Sequence, residues 1–156
     1  MNVDGKHTST KSTVDMLKNN QIDDCAGSLD TNILLRYVLN DVESQAAAVQ
    51  KMLAGENIYV VADHAIFEMV FVLERTYAFQ RAEIGESVDA IIHHGRVTCD
   101  TYFIEKVLSL YVQEEKLSII DCAILEYARQ QQALPLKTFD KDMIKRSAGD
   151  ASAPRV

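Results

Sequence analysis

Four acidic residues stand where neither strand nor helix patterning calls for them: Asp30, Glu68, Asp121 and Asp140. Asp30 follows an apolar-ended stretch in Ser28-Leu29-Asp30-Thr31-Asn32, and Asp140 does the same in Leu136-Lys137-Thr138-Phe139-Asp140-Lys141-Asp142. Glu68 interrupts the apolar run Ile66-Phe67-Glu68-Met69-Val70-Phe71-Val72-Leu73. Asp121 lies in Ser118-Ile119-Ile120-Asp121-Cys122. Brought together, such carboxylates repel one another and raise each other's pKa unless cations stand between them. Oxygen ligands without His or Cys select Mg²⁺ or Mn²⁺ over zinc. The chemistry such a group serves best is metal-assisted attack of water on a phosphodiester.

Each acid also has a plainer use. Asp30 and Asp140 suit helix N-caps, and Ser118 with Asp121 forms a capping box. Glu68 either lies inside a buried helix, where it needs a partner or a metal, or belongs to a narrow solvent stripe with His64 and Arg75. Neither use excludes the other, since a first-turn carboxylate can cap its helix and still face outward.

The elements that position these acids alternate. Strands are predicted over 25–29, 58–62, 96–99 and 134–139. Helices are predicted over 31–39, 43–54, 64–79, 81–94, 101–115, 118–132 and 141–146. Asp63 is the expected cap of the third helix, and Gly55 ends the second. This order indicates a three-layer α/β/α sandwich with a central parallel sheet, whose ligands bind at the carboxyl ends of the strands. The Phe67, Phe71, Tyr77 and Phe79 series reads as core. Residues 1–24 form a polar extension with a short helix over 12–20 introduced by Ser12-x-x-Asp15. Residues 25–147 form the domain, and 148–156 read as a frayed tail.

The 156 residues fit one domain, 47% of them hydrophobic. Lys and Arg number 16 against 23 Asp and Glu, a net charge of −7, which argues against passive nucleic-acid binding through a basic surface. The longest apolar runs fall far short of the roughly twenty residues of a membrane span, and the N-terminus has no signal-peptide core, so a cytoplasmic protein is expected. Three widely spaced cysteines without a CxxC form neither a zinc framework nor a disulfide set.

From about Ser28 to Arg146 the chain resembles PIN-domain nucleases of the kind found as toxins of VapBC-type toxin–antitoxin modules. The resemblance is carried by Leu29-Asp30-Thr31-Asn32-Ile33-Leu34-Leu35, Glu68, Asp121 and Thr138-Phe139-Asp140-Lys141-Asp142. It implies an α/β/α fold and Mg²⁺- or Mn²⁺-dependent cleavage of RNA. Asp30, Glu68 and Asp121 would be the core carboxylates and Asp140 a fourth. Thr31, Asn32, Thr138 and Asp142 would support them. Arg36, Lys137 and Lys141 are candidate substrate contacts. The resemblance also implies a homodimer, for which Val38, Val49, Met52 and Leu53 supply apolar surface, and an antitoxin partner. The chain departs from the family after Asp121, where Cys-Ala-Ile-Leu-Glu-Tyr follows and Glu126 and Tyr127 have no assigned role.

Three other readings compete. A haloacid-dehalogenase-like phosphatase needs a second Asp two residues after the first, where this chain has Asn32. A receiver-like phospho-acceptor domain has no use for Glu68. A catalytically inactive PIN-like binding scaffold would have no need to keep all four acids.

Overall fold

The computed structural model describes residues 24–155. The helix predicted over 12–20 lies outside them. The chain runs β1 (Gly27–Leu29), α1 (Thr31–Leu39), α2 (Glu43–Ala54), β2 (Tyr59–Val61), α3 (Asp63–Arg75), α4 (Arg81–Ile92), β3 (Val97–Thr98), α5 (Thr101–Gln113), α6 (Ile119–Gln130), β4 (Leu136–Lys137), α7 (Lys141–Arg146) and β5 (Ala151–Ser152). Strands β1, β2 and β3 form a parallel sheet in that order, with Leu29 opposite Val61 and Val60 opposite Thr98. All three therefore deliver their carboxyl ends to one edge. Strands β4 and β5 form a second parallel pair rather than joining the first sheet. The result is an α/β fold built on short parallel strands and amphipathic helices.

Local chemistry sets the helix bounds. Asp30 accepts the Ile33 N–H at 2.9 Å and starts α1; Asn40, at φ 50°, ends it in the left-handed region that Asn tolerates. Asp140 starts α7 in the same way through the Met143 N–H at 2.8 Å. Asp63 does not cap α3. Ala62 holds that position, and Asp63 is the first helical residue, where its charge suits the helix dipole. α3 also stops at Arg75 instead of reaching 79, and the chain reverses through Ala78 at φ 54°.

The core gathers Leu34, Ile66, Met69, Val70, Leu73, Ile104 and Leu125, among others, and draws on all seven helices described. Val49 and Leu53 belong to it, and Val38 and Met52 pack against it. The apolar surface expected to form a dimer contact is thus largely used inside the chain. Only Phe67 of the aromatic series is buried: Phe71 is 54% exposed, Tyr77 41%, and Phe79 packs on the core's margin. Helical periodicity explains this. His64, Glu68, Phe71 and Arg75 share one face of α3, and that face is exposed.

The segment expected to fray is instead anchored. β5 pairs with β4, Ala151 is buried, and its N–H donates to the buried Ser147 Oγ at 2.9 Å. Arg129 Nε holds Asp150 at 2.7 Å while Nη1 of the same side chain pairs with Glu126. That network also gives Glu126 its place.

Arg81, the first residue of α4, reaches across to the end of α5. Its Nη1 donates to the carbonyls of Tyr111, Glu114 and Leu117 at 2.7, 3.1 and 2.9 Å. Its Nε donates to Glu74 at 3.1 Å, and the guanidinium lies 4.0 Å from the centre of the Tyr111 ring. Carbonyls at a helix C-terminus lack partners within the helix, and Arg81 supplies a charged one. Arg81→Met keeps a similar length but removes every donor. It should cost about 3 kcal/mol, on the scale of hydrogen bonds to charged groups and orphaned carbonyls. Urea denaturation should show a lower midpoint at unchanged slope; an unchanged midpoint would show that α4 and α5 hold together without it.

Candidate active site

The carboxyl edge of the first sheet is where the chemistry collects. Asp30 leaves β1 at this edge, and Thr31 begins α1 beside it. Thr31 Oγ1 donates to Glu68 Oε2 at 2.5 Å, and it lies 3.4 Å from the Ala65 carbonyl one turn earlier in α3. α1 and α3 pack against each other, so this hydrogen bond brings Glu68 of α3 beside the N-terminus of α1. Glu68 is not enclosed in the apolar interior; it is exposed, as is Asp30.

Asp121 is half-buried at the N-terminus of α6, which packs on α3 and α5. The predicted capping box is present. Asp121 Oδ2 accepts the Ser118 N–H at 2.9 Å and the Ser118 hydroxyl at 2.6 Å, and the Asp121 N–H donates back to Ser118 Oγ at 3.1 Å. Asp140 caps α7, and its own N–H donates to Thr138 Oγ1 at 3.0 Å. Asp142 sits in the first turn of α7, within 3.8 Å of Arg146. Among the described residues no hydrogen bond or ion pair joins Asp121, Asp140 or Asp142 to Asp30 or Glu68. Nor do any three His, Cys, Asp or Glu side chains among them form a group that could hold a metal ion.

The basic candidates divide. Lys137 Nζ donates to Ser152 Oγ at 3.0 Å and so braces β4 against β5, while Lys141 is exposed. Arg36 pairs with Asp41, whose carboxyl it holds below the usual range, and Tyr77 Oη donates to the same carboxylate at 3.3 Å. Arg36 and Asn32 line a cavity of about 620 Å³ that opens beside Asp30.

Two further acids reach the sheet edge. Asp63 follows β2, and Asp100 follows β3 and caps α5 through the Phe103 N–H at 3.2 Å. Asp100 follows a predicted strand just as Asp30 does, and that position was its sequence signal. Both carboxylates, after burial, help to raise the pKa of the Cys99 thiol beside them.

An α/β protein with acids along the carboxyl edge of a parallel sheet is a familiar setting for ligand chemistry. A model of the PIN-domain family matches residues 28–149, and the chain belongs to that family. PIN domains are generally nucleases and commonly metal-dependent. No curated protein and no solved structure matches the chain.

The donors at the edge suit a hard cation. Mg²⁺ commonly takes one or two protein carboxylates and keeps several waters, so it needs no all-protein cage. Asp30 and Glu68 could supply two carboxylates, and His64 one turn before Glu68 adds no soft ligand set.

Cys122, beside Asp121, is no nucleophile. Burial pushes its pKa up to about 12 from an ordinary 9.0. The unfolded chain ionises this thiol first, so its contribution to stability is intact below about pH 9 and is lost as pH rises towards 12. At pH 8 iodoacetamide should leave Cys122 unmodified in the native protein and modify it in urea. Equal rates in the two states would contradict its burial.

Proposed function

We propose that the protein is a Mg²⁺- or Mn²⁺-dependent endoribonuclease, acting as the toxin of a toxin–antitoxin pair. The observation that carries this reading is the hydrogen bond from Thr31 to Glu68, which joins the acid of α3 to the helix start occupied by Asp30. A bound divalent ion would neutralise charge on a phosphodiester and activate water for attack on phosphorus. Asp30 and Glu68 would hold it, with Thr31 fixing the Glu68 rotamer. Asp121 and Asp140 would complete the acid set, with Asn32, Thr138 and Asp142 orienting it. Arg36, Lys137 and Lys141 would meet the RNA backbone, which a chain of net charge −7 cannot attract by its overall field.

A homodimer and an antitoxin belong to the same reading. Ile120, Ile124 and Tyr127 leave an exposed apolar stripe on α6, 49%, 47% and 59% accessible, and this supports a protein partner. A second reading, a PIN-like scaffold that binds without cutting, is favoured by the lack of any three-ligand group among the described residues.

Cleavage of a panel of single-stranded and stem-loop RNAs, with Mn²⁺ or with chelator, separates the two. The wild type should cut only with metal. Glu68→Gln should lose at least about a hundredfold, roughly 2.7 kcal/mol of transition-state stabilisation. Asp121→Asn keeps an acceptor oxygen for Ser118 and should stay within about 1 kcal/mol of wild-type stability, so a matching loss of cleavage there reports its charge. No metal-dependent cutting by the wild type would refute the nuclease reading, and cutting at wild-type rate by Glu68→Gln would remove Glu68 from the site.

A further inference from the structure

The exposed face of α3 carries more than its acid. His64, Glu68, Phe71 and Arg75 follow one another along it at helical spacing, and all four are exposed. Phe71 lies about 4.5 Å further along the axis than Glu68, and Arg75 about 6 Å beyond Phe71. A single exposed ring is ordinary on a protein surface. This one is set apart by its neighbours. On one side is the carboxylate that Thr31 orients, and on the other a guanidinium with no ion pair or hydrogen bond to any described residue. Arg36, Arg81, Arg129 and Arg146, by contrast, are all paired with acids. Tyr102 has Lys106 over its ring, 5.5 Å from the centre, and Tyr127 belongs to an apolar stripe with Ile120 and Ile124.

We propose that Phe71 stacks on an unpaired base of the RNA and that Arg75 meets the phosphate beside that base, so that a nucleotide next to the cleaved bond lies along α3. The proposal rests on the nuclease reading and adds what holds the RNA there. A net charge of −7 gives no long-range attraction, so affinity has to come from local contacts. Stacking on an aromatic ring supplies affinity without a basic surface, and it needs a base with a free face, which a single strand offers and a duplex does not. Phe71 and Arg75 are four residues apart, so their side chains are neighbours on the helix. A nucleotide has the matching pair of groups, a flat ring and an anion. A protein partner calls for continuous apolar surface, which α6 presents through Ile120, Ile124 and Tyr127 and this face of α3 does not.

The chain contains no tryptophan, so Phe71→Trp in the full chain keeps a stacking face and adds a single fluorophore at an exposed position. Its emission should be quenched saturably by a single-stranded RNA octamer. The same octamer annealed to its complement should bind at least about tenfold more weakly, and heparin, a polyanion without bases, should not quench. Rapid mixing, once in chelator and once in Mg²⁺, reads the quench before any cutting. Anisotropy of the labelled octamer then compares variants. Phe71→Leu should weaken binding at least about fivefold with its salt dependence unchanged, and Phe71→Trp should retain it. Arg75→Gln should weaken binding with a salt slope shallower by about 0.7. Tyr102→Leu, which removes an exposed ring on α5, should bind as the wild type does. An indole that ignores the octamer in both conditions overturns the proposal, including the case in which a protein partner covers this face. So does wild-type affinity in Phe71→Leu, an equal loss in Tyr102→Leu, or an equal response to single strand and duplex. If RNA is cut with metal while the indole stays silent, the stacking proposal fails and the nuclease reading stands. If the indole responds as expected and no RNA is cut, the nuclease reading fails and a face that binds single strands remains.

Discussion

One guanidinium ties the helical half of the molecule together. Arg81 binds three carbonyls at the end of α5 and in the loop that follows, pairs with Glu74 of α3, and lies over the ring of the buried Tyr111. The path of the loop from Glu114 to Leu117 is thereby set, and Ser118 is the residue that comes next. The capping box of Ser118 and Asp121, and with it the starting point of α6, depends on where that loop ends. A carboxylate at the N-terminus of α6 is thus positioned by a residue forty positions earlier in the chain. Arg146 extends the same bracing by holding Glu114 at 3.0 Å from α7.

The four acids that the sequence singles out share a second constraint. Each has one oxygen held by a neutral donor: Asp30 by the Ile33 N–H, Glu68 by Thr31, Asp121 by Ser118 and Asp140 by the Met143 N–H. A neutral donor fixes a carboxylate's direction without cancelling its charge, as a lysine or arginine would. Arginines in the chain are placed differently: Arg36, Arg81, Arg129 and Arg146 all pair with acids outside this set. The architecture is held by ion pairs elsewhere.

Much of this was legible in the sequence where the determinants are local. The bounds of α1, α2 and α7 follow from Asp30, Gly55 and Asp140, and the Ser118–Asp121 box from four adjacent residues. The resemblance to PIN domains was legible too, and the family match over residues 28–149 bears it out. What escaped has long-range causes. The residues after Gly149 look like a small, polar tail, yet Arg129 of α6 anchors Asp150 and lets β5 form. The apolar run through Phe71 and on to Phe79 suggests a long buried helix, but Ala78 turns the chain and α3 leaves one face to solvent. Short strands gave too weak a pattern to reveal two parallel sheets in place of one. Arg81 read as an ordinary helix start, because its carbonyl partners lie thirty or more residues away.

The central claim is that Asp30 and Glu68 form the core of a divalent-cation site at the carboxyl edge of the sheet. Electron paramagnetic resonance of Mn²⁺ tests it without reference to any RNA. Titrating the full chain into Mn²⁺ should diminish the sharp signal of the free aquo ion with saturable stoichiometry. Asp30→Asn and Glu68→Gln should each restore that signal, while Asp142→Asn, on the exposed first turn of α7, should weaken binding far less. A free-ion signal that is undiminished by the wild type, or diminished equally by the Asp30 and Glu68 variants, would contradict the account.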